Sequence, residues 1–82
     1  MEEKIKELLI DAVSAFGVVI DSIEYEKGSN NYLHIALDRE EIIPLELVVE
    51  VTKVINPILD GEDLIKEEYI LDVYAKPKGD VK

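Results

Sequence analysis

Leu45-Glu46-Leu47-Val48-Val49-Glu50-Val51-Thr52-Lys53-Val54-Ile55-Asn56-Pro57-Ile58-Leu59 decides the fold, because its composition and its period disagree. Val48, Val49, Val51, Thr52, Val54, Ile55 and Ile58 are β-branched, and taken singly such side chains favour strands. The period points the other way. At about 100° per residue, Val54, Leu47, Ile58, Val51, Ile55, Val48 and Leu59 form one continuous arc, while Glu46, Glu50 and Lys53 share the opposite side. Fifteen residues would also be long for a strand. The spacing therefore predicts a helix over 45–59. Pro44 opens it, since its fixed φ suits a first helical position, and Pro57 should kink or end it for want of an N–H.

On the N-terminal side, Tyr32 to Asp38 alternates: Leu33, Ile35 and Leu37 face one way, Tyr32, His34, Ala36 and Asp38 the other. Val18 to Glu26 is a second strand rich in Val, Ile and Tyr, and Lys27-Gly28-Ser29-Asn30-Asn31 is the turn that joins the two in an antiparallel hairpin. Before them, Ile5, Leu8, Leu9, Ala12, Val13 and Phe16 fall on one helical face, with Glu2, Glu3 and Glu7 at the positive end of the dipole and Gly17 as the stop. On the C-terminal side, Asp60–Glu67 reads as an acidic loop. Glu68–Ala75 reads as a third strand, with Tyr69, Leu71 and Val73 opposite Ile70, Asp72 and Tyr74. The fold class is α+β: an α-β-β-α-β two-layer sandwich, two helices on one face of a three-stranded sheet.

Charge narrows the function. Nineteen acidic against nine basic residues give a net charge of −10 over 82 residues, with no cysteine, no tryptophan and one histidine. Such a body repels phosphate backbones and anionic membranes and steers basic proteins towards itself. One domain is expected over residues 1–75, followed by a short, basic, flexible tail, 76–82, carrying Lys76, Lys78 and Lys82. The expected setting is cytoplasmic: there is no disulfide framework, no leader-like start and no apolar run long enough to span a bilayer.

The stretches Phe16–Tyr25, Tyr32–Asp38, Val51–Asp63 and Glu68–Val73, taken in that order, resemble the N-terminal domain of the ribosome maturation factor RimP family. Phe16-Gly17-Val18-Val19-Ile20-Asp21-Ser22-Ile23-Glu24-Tyr25 is similar to its first strand, and Tyr32-Leu33-His34-Ile35-Ala36-Leu37-Asp38 to its second, which ends in an aspartate. Val51-Thr52-Lys53, then Ile55-Asn56-Pro57-Ile58-Leu59-Asp60 with Glu62-Asp63, resembles its second helix and the acidic loop after it. Glu68-Tyr69-Ile70-Leu71-Asp72-Val73 matches its third strand. Two departures stand out. Tyr74-Ala75-Lys76-Pro77-Lys78-Gly79-Asp80 replaces the family's run into a second, small β-barrel domain, and Pro44 stands where a hydroxyl residue usually caps the second helix. The expectation is the N-terminal domain only, with that C-terminal barrel absent. The resemblance implies a non-enzymatic domain that assists small-subunit maturation by binding a basic ribosomal protein, or the immature subunit itself.

Read for chemistry, the residues agree with a binding role. A nucleophile needs a neighbouring base, and His34, the one imidazole, sits on an alternating strand as an ordinary exposed sheet residue. Glu40-Glu41 and Glu62-Asp63 are sequence neighbours, with nothing to suggest an apolar pocket that would separate their pKa values. Asp60-Gly61-Glu62-Asp63 puts glycine second, which fails the calcium-loop template. No catalytic, cofactor or metal site is expected. Direct nucleic-acid binding is disfavoured, because each phosphate contact needs a cation. The partner-binding candidates are Asp38, Arg39, Glu40 and Glu41 after the second strand and Asp60, Glu62 and Asp63 after the second helix. They form one anionic rim if strand and helix end at the same edge. Leu45 and Val49, beyond the apolar arc of the second helix, and Ile10, off the stripe of the first, support the competing reading. That reading is a stand-alone adaptor or homo-oligomeric domain, a homodimer in the simplest case, with no ribosomal role.

Overall fold

The computed structural model describes residues 2–62 and 65–76. Its elements are α1 (Glu2–Ser14), β1 (Val19–Glu26), β2 (Tyr32–Asp38), α2 (Leu45–Glu62) and β3 (Ile70–Ala75). The sheet order is β1-β2-β3; β1 runs antiparallel to β2, and β3 parallel to it. Both helices lie on one face, α1 against β1 and α2 against β3.

One face of every element feeds the core. Ile5, Leu9 and Val13 of α1 are fully buried, as are Leu33, Ile35 and Leu37 of β2 and Val51 and Ile55 of α2. The period of the deciding segment is therefore helical, and Glu46, Glu50 and Lys53 are exposed on its far side. Gly17 closes α1 with a φ of 78°, the left-handed conformation a side chain resists.

Strand β1 contains a bulge at Asp21: Ile20 pairs with Leu37 and Ser22 with Ala36. The extra residue shifts the alternation, so that Ile20 and Ile23, three apart, both face the helices. On the open face Ala36 is only 3% exposed, because its methyl sits in register between Ser22 and Tyr74.

The boundaries of α2 differ from the expectation in two places. Pro44 is the cap rather than the first helical residue: its carbonyl accepts from the Leu47 N–H at 3.0 Å and from the Val48 N–H at 3.3 Å. Pro57 does not end the helix, which continues to Glu62, so Asp60, Gly61 and Glu62 belong to its last turn and not to a loop. Burial of Ile55 and Leu59 on either side of Pro57 outweighs the one missing hydrogen bond. The first and third strands each start slightly later than expected, at Val19 and Ile70.

Candidate functional site

The topology settles whether the acidic segments meet. Because β2 and β3 are parallel, α2 must carry the chain from the end of β2 back to the start of β3. Its 18 residues span about 27 Å. Asp38, Arg39, Glu40 and Glu41 therefore lie at one end of the sheet and Asp60 and Glu62 at the other. The single rim is replaced by two separate acidic ends; Asp63 lies outside the described residues.

At the first end, Glu40 and Glu41 are exposed beside Gly17 and Val19, around an open hollow of about 500 Å³. Arg39 is occupied with the loop itself. Its N–H donates to Asp38 Oδ1 and its Nη2 to the Ile42 carbonyl, both at 2.8 Å. At the second end, Asp60 and Glu62 sit in the last turn of α2, which holds no basic residue. Carboxylates there face the negative pole of the helix dipole, a placement that raises the local negative potential instead of offsetting it.

That second end extends into residues the sequence reading left out. An open groove of about 490 Å³ runs between α2 and the start of β3, lined by Thr52, Asn56, Asp60, Glu67, Glu68, Tyr69 and Leu71. Burial, and then the Asp60 charge, pushes the Tyr69 phenol above its usual pKa, as expected where that carboxylate stands close by. Glu67 is braced from the hairpin: Tyr25 Oη donates to Glu67 Oε2 at 3.0 Å, and Lys27 Nζ lies 3.0 Å from the same oxygen. These partners, Lys27 first, hold the Glu67 carboxyl below its ordinary value. Asn31 Nδ2 donates to the Glu68 carbonyl at 3.0 Å.

His34 is more than an ordinary sheet residue. Nε2 lies 2.9 Å from Glu26 Oε1, and Nδ1 lies 2.9 Å from Asp72 Oδ2. The Tyr32 ring stacks on it, with centroids 5.7 Å apart. Hydrogen bonds from Glu26 and then Asp72 raise the imidazole pKa above 6.5, against a smaller opposing effect of desolvation. The trio joins all three strands across the open face. Periodicity could place His34 on that face, but only the parallel register brings Asp72 opposite it.

A mixed three-stranded sheet backed by two helices defines a small α+β domain built on the α-β-β-α-β order. The family model of the RimP N-terminal domain matches residues 8–75 of the 82-residue chain, and the chain belongs to that family, the N-terminal domain of a ribosome maturation factor. In shape it is also similar to solved structures of the MamM CTD. A copper form of one variant gives a TM-score of 0.52 at 14% identity, covering 90% of this chain and 94% of that one. A cadmium form of another gives 0.52 at 14%, covering 93% and 95%. At such identities the likeness is one of fold. Among the described residues, no helix is long and apolar enough to cross a membrane.

Proposed function

We propose that this chain assists maturation of the small ribosomal subunit by docking onto a basic ribosomal protein through its acidic ends. The observation that carries the reading is membership of the RimP N-terminal domain family over residues 8–75. The charge agrees with it: a body at −10 attracts a lysine- and arginine-rich partner from a distance and repels bare RNA. Asp60 and Glu62 are the stronger candidates, since they add their charge to a helix end that is already negative. Glu40, Glu41 and Asp38 form the second contact region, and Arg39 braces it.

Co-sedimentation with purified small subunits tests this. The chain should pellet with subunits in dilute salt and release as salt rises. Asp60→Asn with Glu62→Gln should weaken association several-fold and flatten its salt dependence. Failure of the unaltered chain to pellet in dilute buffer rejects the reading.

One observation favours the adaptor or homo-oligomer reading. Ile42 and Leu45 are 75% and 76% exposed, and Val49 continues the same apolar surface one turn along α2. Light scattering across a concentration series tests it: a stable dimer that ignores subunits supports the homo-oligomer, and a concentration-independent monomer rejects it.

A further inference from the structure

The third strand is a sheet edge whose outer side carries no partner among the described residues. Its inner side pairs with β2 along its length, and at the two ends the Ile70 N–H donates to the Asn31 carbonyl at 2.8 Å and the Lys76 N–H to the Leu37 carbonyl at 2.7 Å. In a strand, the N–H and C=O of one residue point to the same side and alternate with those of the next. Ile70, Asp72, Tyr74 and Lys76 therefore address β2. Leu71, Val73 and Ala75 turn their N–H and C=O groups outward.

The two edges of this sheet are not alike. Strand β1 is interrupted by its bulge at Asp21, a common protection against further pairing. Strand β3, Ile70–Ala75, has no bulge and no proline; its one carboxylate, Asp72, is held by His34, and Lys76, which follows it, is drawn to Asp21 at 3.2 Å. The apolar side chains beside the free edge are incompletely covered: Leu71, Val73 and Ala75 are half-buried. Beneath the edge lies the groove of Thr52, Asn56, Asp60, Glu67, Glu68, Tyr69 and Leu71. An added strand would cover the apolar side chains and lay its helix-side residues over these carboxylates.

We propose that β3 accepts a fourth strand, an extended segment of a partner protein with lysine or arginine at alternate positions. Backbone pairing to Leu71, Val73 and Ala75 supplies the common affinity. Asp60 and Glu68 select cationic side chains whose aliphatic stems rest on Tyr69 and Leu71. A second copy of this chain is the poorer occupant, since pairing two β3 edges would bring together two bodies of charge −10. The assignment rests on the proposed function only for where such a partner is found; the edge itself can be tested without ribosomes.

The probe is a synthetic eight-residue peptide of alternating lysine and valine, titrated against the full chain while backbone amide exchange is followed by NMR. In the free protein the amides of Leu71, Val73 and Ala75 should exchange fast and those of Asp72 and Tyr74 slowly. On binding, protection should rise about tenfold or more at Leu71, Val73 and Ala75 alone in the strand. Val73→Pro removes an outward N–H that the β2 ladder does not use and should abolish binding. Asp60→Asn with Glu68→Gln, which leaves the backbone untouched, should weaken the lysine peptide without creating affinity for one of alternating aspartate and valine. Unchanged exchange at Leu71, Val73 and Ala75 overturns the proposal, as does the same protection induced by raising the protein concentration alone. If small subunits bind Val73→Pro as well as the unaltered chain, the edge is not the docking surface although the ribosomal reading stands. If the peptide protects the edge but subunits are ignored, the converse holds.

Discussion

At the scale of single residues, His34 carries the clearest consequence. Its two ring nitrogens are each 2.9 Å from a carboxylate, Glu26 on β1 and Asp72 on β3, and Glu24 is its register partner across the first hairpin. Hydrogen bonds to Glu26 and then Asp72 favour the imidazolium, and the folded pKa is raised above the unfolded value near 6.5. For a cation whose pKa rises on folding, the stabilisation is fully present below the unfolded pKa and is lost as pH climbs through the folded one. Urea unfolding of the unaltered chain and of His34→Gln should therefore differ most below about pH 6.5 and converge in alkaline buffer. An NMR titration should place the His34 pKa above that of a free imidazole, and Asp72→Asn should bring it down. A His34 that titrates at or below 6.5 would remove the trio as a stabilising unit.

At the scale of elements, Pro57 is a cost that α2 carries inside a helix whose buried stripe, Val48, Val51, Ile55 and Leu59, runs past it. The ring deprives Lys53 of its hydrogen-bond donor four residues on. Since Pro57 is exposed, Pro57→Ala should restore that bond without disturbing the core and raise unfolding stability by about 1–2 kcal/mol, read by urea titration. A loss of stability would mean that the fixed φ of Pro57 is needed where α2 runs on towards β3. The same helix shows what a sequence discloses. Its apolar arc was legible because seven side chains must share one face whatever their intrinsic preference, and burial outweighs β-propensity. Its end was not, because a proline signals a break, whereas Ile58 and Leu59 beyond it still fill the core. The bulge at Asp21 was hidden for a similar reason. Nothing local distinguishes it, and it exists only because Ile20 and Ile23 must reach the same core from one strand.

At the scale of the whole molecule, the separation of the acidic segments follows from connectivity. A parallel pair joined by a helix returns the chain to the starting edge, so carboxylates that follow β2 and carboxylates in the last turn of α2 must lie apart. Each segment was legible as acidic; their relation was not, since it depends on whether the third strand runs with or against the second. The remaining electrostatics are those of a body at −10. Among the described residues, lysine–carboxylate pairs such as Lys27–Glu67 at 3.0 Å, Lys76–Asp21 at 3.2 Å and Lys53–Glu50 at 3.9 Å are exposed. Pairs of this kind contribute about 0–1 kcal/mol each and weaken in salt. Repulsion among the surplus carboxylates is spread over the molecule and is also screened, with a Debye length falling from about 30 Å at 10 mM to about 6 Å at 0.3 M. The two effects oppose each other, and the surplus should win because nineteen acidic groups face nine basic ones. Raising sodium chloride from about 10 mM to about 0.3 M should therefore lift the thermal midpoint by roughly 3–6 °C. A midpoint that falls with salt would show that the local pairs, and above all the His34 trio, hold the fold more strongly than the net charge strains it.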